Sequence, residues 1–359
     1  MAKECKRTYV SYRDWPEKSK QTEYTTPTPL LGEDGTLLAK GWARHNVFDY
    51  DRDRSKPTSH RKEWDFYQIS NGRYMAQVNF ANITKLGFAT ATLVDLETGK
   101  TIGGAMAPFV GGRNKYVLPA KGDVPHRYEM KVGKCIFAVD ATETGRTLRY
   151  RMGDVECEFT MEHLAGHENI TTVLPFAGKP TNYFMTTKLN CMPTQGYFKV
   201  SGKTVTFDRA DTFTVLDWGR VNTPYSLVWY WGNGSTYLED EEGNRHLFGF
   251  EITWGIGDES NATETCLFLD GKAYKFGAVD VKTFPKGRYM EPWVFESEDG
   301  KFNLTMTPTF DNHSDINVLV YRMHSHQVHG RWNGTVEIEG KKFEIKDMYA
   351  FCEYVENRW

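Results

Sequence analysis

The segment Val155-Glu-Cys-Glu-Phe-Thr-Met161 places Val155, Cys157, Phe159 and Met161 at every second position, with polar residues between them. A period of two marks a strand with one buried face. No window of eleven or more residues carries a convincing 3.6-residue period, so the chain reads as β throughout. The pattern recurs along the sequence. Strands are expected at 64–69 and 74–80 around a Ser-Asn-Gly turn, at 88–95, and at 128–132 and 135–140 around Gly133-Lys134. Others are expected at 146–150 and 183–189, and at 196–201 and 203–207 around Gly202. The second half offers strands at 227–231, 246–253, 265–269, 273–276, 302–306, 318–321, 334–339 and 343–345, with tight turns at Asp270-Gly and Glu339-Gly. Short strands at this spacing predict antiparallel barrels or strongly curved sandwiches with few short helices, one near 161–168.

With 359 residues the chain holds two domains or one large β domain. The expected division is a polar arm at 1–28, a barrel-like domain at 29–210 and a second at 211–359. The 14% aromatic content suits β structure and also suits apolar ligand cavities. A net charge of −3 argues against nucleic-acid binding. No stretch approaches the roughly 18 apolar residues of a membrane span, and the N-terminus has no apolar signal region. Six scattered cysteines, none in a C-x-x-C pair, are then expected as free thiols of a cytoplasmic protein.

The densest chemistry is Asp217-Trp-Gly-Arg220, followed by Trp229-Tyr-Trp231. Trp229 and Trp231 share a strand face. An Asp217–Arg220 pair under aromatic cover is either a structural pin or a perturbed carboxylate, and these residues alone favour the pin. Glu63 and Asp65 share one face, with Trp64 on the other. They are two carboxylates suited to acid–base division or, as is more usual, a wet charged face. His324 and His326 share a face that His329 does not, and no carboxylate or Cys stands at an obvious ligand spacing, so no metal is expected. One histidine of the group suits acid–base work better. Cys191 lacks an activating histidine beside it and reads as a buried thiol. There is no nucleophile elbow, Walker loop or dinucleotide fingerprint, and hence no support for a nucleotide cofactor.

Lys62-Glu-Trp-Asp-Phe-Tyr67, Lys188-Leu-Asn-Cys-Met-Pro193, Asp217-Trp-Gly-Arg220, the 263–271 segment, Glu291-Pro-Trp293, Met306-Thr-Pro308, His326-Gln-Val-His-Gly330 and Asn357-Arg-Trp359 together resemble the domain-of-unknown-function family DUF2804. The likeness runs from about Leu30 to the end. Asp51, Thr263, Thr265, Asn312 and His329 depart from its usual residues. That family is remotely similar to a lipocalin-like group containing AttH, carotenoid and kievitone hydratases, tocopherol cyclase and Diels–Alder cyclases.

The resemblance implies two tandem lipocalin-like antiparallel β-barrels with an apolar pocket in or between them. It also implies cofactor-free chemistry on an isoprenoid, polyene or polyketide-like molecule. On that basis the expected activity is hydration, cyclisation or isomerisation by acid–base chemistry. The resemblance transfers no catalytic residues; the clustering of ionisable groups with tryptophans makes Asp217 the expected acid, oriented by Arg220, with Glu264 and His326 as further catalytic candidates. Trp64, Asp65, Tyr67, Asn190, Trp218, Trp229 and Trp231 are the expected substrate-binding residues. A non-catalytic carrier for a lipid or isoprenoid is the alternative, and a carbohydrate-active protein with an open groove is a third. The partner is a hydrophobic small molecule; the sequence does not fix the oligomeric state.

Overall fold

The computed structural model describes residues 17–111, 115–164, 166–240, 242–281, 287–318 and 321–358. Cys5, most of the expected arm, Ala165, Leu319-Val320 and Trp359 lie outside these residues. Two large antiparallel sheets make up the molecule, as the period-two pattern predicts. The first runs Lys100–Val110, Leu86–Asp95, Tyr74–Ile83, Arg61–Ser70, Phe213–Asn222, Tyr183–Val200, Val155–Glu162, Gly145–Met152, Cys135–Thr142 and His126–Val132, with short strands attached at Tyr183–Val200. The second runs Lys272–Lys275, Cys266–Leu269, Arg245–Trp254, Ser226–Glu239, Lys341–Arg358, Tyr321–Ile338, Phe302–Val318, Trp293–Ser297 and Val279–Val281. Each sheet curls around its own core. Tyr67, Phe80, Phe137, Tyr150, Phe159 and Trp218 fill the first, and Phe250, Phe302, Trp293 and Trp332 the second.

The Asp270-Gly and Glu339-Gly turns form as expected. Both residues of each have positive φ, between 49° and 79° for Asp270-Gly271 and between 51° and 79° for Glu339-Gly340, as primed hairpin turns require. The expected helix near 161–168 is not seen among the described residues: Met161 and Glu162 finish a strand, and 163–164 are irregular. The described helical elements are two short 3-10 turns, Arg52–Arg54 and Thr58–His60. No helix there is long and apolar enough to cross a membrane.

The first sheet extends past residue 210. Phe213–Asn222 pairs with both Tyr183–Val200 and Arg61–Ser70, so the chain leaves the first sheet only after Asn222. Residues 17–28 contact the second half of the chain. Lys20 and Thr22 donate backbone N–H groups to Ser260 and Asn261 of the second half, and the Ser19 hydroxyl donates to the Glu259 carbonyl. Several strands are longer than their apolar runs. Phe302–Val318 continues through polar Asp311-Asn-His-Ser-Asp315 because ladder pairing with Tyr321–Ile338, not burial, holds that part.

A third cluster lies between the sheets. Trp42, Ile170, Leu174, Phe176, Phe184, Cys191 and Val221 from the first half meet Leu227, Leu247, Ile256, Cys266 and Phe268 from the second. Strands that carry apolar side chains on both faces thus serve two cores at once.

Candidate active site

A cavity of about 320 Å³ opens between the outer faces of the two sheets. Strand parity decides what reaches it. On Arg61–Ser70 the side chains of Lys62, Trp64 and Phe66 face the cavity, while Glu63, Asp65 and Tyr67 turn into the first sheet's core. Asp217 faces the cavity from Phe213–Asn222, and Trp218 and Arg220 face inward. From the second sheet come Trp229 and Trp231, with Gln327 and Glu353. Phe66 and Trp231 meet edge-on across the gap, 6.1 Å between centroids.

The expected pairing of Asp217 with Arg220 does not form. Three residues apart on one strand, the two point to opposite faces. Arg220 is wholly buried and donates to Asp65 Oδ1 at 2.9 Å and to the Pro119, Trp64 and Gly219 carbonyls. Trp218 lies under it, with the guanidinium 4.2 Å from the ring centre. Asp65 also accepts from the Tyr128 hydroxyl at 2.6 Å. Glu63 accepts from Tyr50 and Arg52. Glu63 and Asp65 therefore share one face, as expected, but that face is buried rather than wet. Tyr67 is buried there too, its hydroxyl accepting from Arg146.

Asp217 instead meets Lys188 of the neighbouring strand, 2.8 Å from Nζ. The same ammonium lies 3.8 Å from Glu264 Oε2 and 4.2 Å from the Trp231 ring centre. Glu264 accepts from the Thr186 hydroxyl and lines the cavity. Behind Trp231, Glu251 accepts from the indole N–H at 2.8 Å and from Asn190 Nδ2 at 2.8 Å. Glu353 accepts from Trp229 Nε1 at 2.9 Å and from Gln327 Nε2 at 3.2 Å. Asn190 thus supports Glu251 from below and is not a lining residue.

Four carboxyl groups therefore surround one ammonium, and full ionisation would strand several negative charges among tryptophans. Burial pushes Glu353 up to about 7 and Glu251 up to about 8, and raises Glu264 as well. Burial alone would lower Lys188, but Asp217, Glu264 and Glu251 more than offset it, and the ammonium is held above the usual lysine range. At the far wall, burial pushes Lys62 down to about 7, where its amine donates to Thr223 Oγ1. The site therefore has proton donors and acceptors poised near neutrality within an aromatic enclosure.

His326 does not reach the cavity. It projects from the opposite face of the strand that supplies Met323, Ser325 and Gln327. His329 shares their parity but packs among Phe310, Tyr349 and Phe351, where burial lowers it to about 3. Cys191 is buried, and burial drives its thiol far up. Of the sequence-expected residues, the structure gathers Asp217, Glu264, Trp64, Trp229 and Trp231 around the cavity and leaves Arg220, His326, Asp65, Tyr67, Asn190 and Trp218 outside it.

Lys188, Glu251 and Glu353 were not singled out as functional residues. Glu353 had a signal: it is the only charged residue in Tyr349-Ala-Phe-Cys-Glu-Tyr-Val355, a run apolar on both faces.

The model of the family described as Domain of unknown function (DUF2804) matches residues 21–359. The chain belongs to this family. No curated protein matches the sequence. Among solved structures, kievitone hydratase from Nectria haematococca is similar over 95% of this chain and 98% of its own, with a TM-score of 0.51 and 14% identity. A putative AttH from Nitrosomonas europaea matches over 86% and 96% of the two chains, with a TM-score of 0.44 and 13% identity. CghA, solved with Sch210972, matches over 95% and 97%, with a TM-score of 0.42 and 10% identity. The likeness to kievitone hydratase establishes a shared lipocalin-like fold for this DUF2804 member; at this identity it says nothing of substrate.

Proposed function

We propose that this protein is a cofactor-independent acid–base enzyme, a hydratase, cyclase or isomerase, acting on a hydrophobic isoprenoid, polyene or polyketide-like molecule. The observation that carries the proposal is Glu353, a carboxyl facing an aromatic-lined cavity and raised to about 7 by burial. A carboxylic acid that retains its proton near neutrality can protonate an alkene or carbonyl. Trp229, Trp231 and Trp64 then present ring faces to the positive charge that develops on carbon. Asp217, held by Lys188, is the acceptor. In a hydration, the Glu353 proton adds to one alkene carbon, water oxygen bonds to the other, and the water's proton passes to Asp217. In a cyclisation or isomerisation, Asp217 takes a proton from the carbon next to the cation instead.

Asp217 is a weaker choice for the acid than Glu353, because its carboxylate is engaged by an ammonium. Glu264 tunes the same ammonium. The cavity volume lies at the lower end of the roughly 300–1,000 Å³ common for small-molecule sites.

Small molecules extracted from the purified protein are identified by mass spectrometry, and the recovered class is incubated with the protein in D₂O. The expected result is a hydrated, cyclised or isomerised product with deuterium on carbon. Turnover should fall about 100-fold or more in Glu353→Gln while the ligand is still bound. Stoichiometric recovery of unaltered ligand, with no product from any related alkene, favours the carrier instead. Unchanged turnover in Glu353→Gln removes Glu353 from the proposed role.

A further inference from the structure

The inner face of the second sheet, turned away from the cavity, carries a histidine cluster. In the hairpin formed by Phe302–Val318 and Tyr321–Ile338, His313 stands directly opposite His326, and Asp315 directly opposite His324. Period two puts Asp311, His313 and Asp315 of one strand on the same face as His324 and His326 of the other. The sequence view saw His324, His326 and His329 because they are close in the chain. The ladder replaces His329, which faces the other way, with His313 from the facing strand.

One ligand nitrogen from each of His313, His324 and His326 lies within 4.8 Å of the others. The Nε2 atoms of His324 and His326 are 3.2 Å apart. Two nitrogens bound at about 2.0–2.1 Å to one tetrahedral ion stand about 3.4 Å apart, so this pair already has the spacing of a shared ion. The His313 ring stacks parallel on His326, 4.3 Å between ring centres, and joins them once its exposed side chain turns a nitrogen edge towards the pair.

The surroundings fit as well. Asp311 Oδ2 lies 2.7 Å from His326 Nδ1; with the proton on Nδ1, that bond leaves the Nε2 lone pair directed into the cluster. Asp315 Oδ1 stands 3.9 Å from His324 Nδ1, beyond hydrogen-bond reach, and adds negative charge beside the cluster. The Tyr289 ring stacks on His326 at 3.6 Å and fixes its plane. His326 is buried, His324 half-buried and His313 exposed, so the cluster opens to solvent on one side. An ion has an entry path on the His313 side.

We propose that His313, His324 and His326 form a binding site for a divalent first-row transition-metal ion, with Asp311 orienting the His326 imidazole. Three neutral imidazoles suit zinc, cobalt, nickel or copper rather than magnesium or calcium. The site is independent of the acid–base chemistry proposed for the cavity, because its residues face the opposite side of the sheet. An ion there clips the two strands together near the tip of their hairpin.

The test uses the full-length protein without an affinity tag, stripped with chelator and titrated with Zn²⁺ by calorimetry and with Co²⁺ by visible absorption. One ion per chain is expected, with the intense visible bands of a four-coordinate cobalt site. His313→Ala, a surface change that spares the core, should weaken binding about 100-fold or more. Asp311→Asn should weaken it about 10- to 100-fold. Zn²⁺ at a concentration that saturates the parent but stays below the dissociation constant of His313→Ala should raise the thermal midpoint of the parent and leave that of the variant in place. Substoichiometric binding, or one equivalent bound equally well by His313→Ala, overturns the proposal.

Discussion

Asp65 and Arg220 form a fully enclosed ion pair, and the guanidinium's other donors end on main-chain carbonyls. Removing one partner strands the other's charge in the first core. Arg220→Met is therefore expected to cost about 3–5 kcal/mol in denaturant unfolding. An Asp65→Leu/Arg220→Met double variant should recover much of that loss, whereas additive losses would show that the pair is not the source.

Glu353 makes a different prediction. In the unfolded chain it titrates near the ordinary 4.5, and in the folded protein near 7. Below 4.5 both states carry the proton and burial brings no pH-dependent penalty. As pH rises from 4.5 towards 7 the unfolded chain releases its proton first, so stability falls; above 7 the loss is complete. The thermal midpoint of Glu353→Gln relative to the parent should rise across that window. A difference that does not vary with pH would refute the assignment.

At the scale of the element, parity along each strand divides structural from cavity-facing side chains. Gly219 shows how tightly the division is packed. A Cβ there would stand 2.1 Å from the Trp64 ring, which lies over the glycine on the adjacent strand. Gly219→Ala should push the indole towards the cavity and cost about 1–3 kcal/mol, read from the denaturant midpoint. An unchanged midpoint would mean that the ring has free space beside it.

The Tyr183–Val200 strand contains a bulge. Cys191 has a φ of 58°, Asn190 Oδ1 accepts from its N–H at 2.6 Å, and the register with Phe213–Asn222 shifts between Leu189 and Met192. The bulge lets one strand pair with Phe213–Asn222 near Lys188 and with Val155–Glu162 further on.

For the whole molecule, the two sheets share an apolar interface and a cavity, and the N-terminal segment straps one half to the other. Gly249 sits where the two sheets pack tightly: a Cβ there would meet Cys191 Sγ at 2.4 Å and Asn190 Oδ1 at 2.7 Å. Calorimetry should show one cooperative transition, with calorimetric and van't Hoff enthalpies in agreement. Two resolved transitions would mean that the halves are stable without their interface. Gly249→Val should lower that single midpoint, since the side chain wedges the sheets apart.

Period two determined that the chain is β and put Trp229 and Trp231 on one face and Trp64 opposite Asp65, while glycine-containing turn residues such as Asp270-Gly and Glu339-Gly placed the tight turns. These are local consequences of backbone geometry. Tertiary structure decided which partner each charge has. Lys188 stands opposite Asp217 through a register set by pairing between strands, and Glu353, opposite Trp231 in its own ladder, reaches the diagonal Trp229. His313 meets His326 only because a hairpin folds one strand onto the next. Sequence spacing within one strand shows which residues share a face; it carries no information about which residue of another strand arrives opposite, and the chemistry of this protein lies in those encounters.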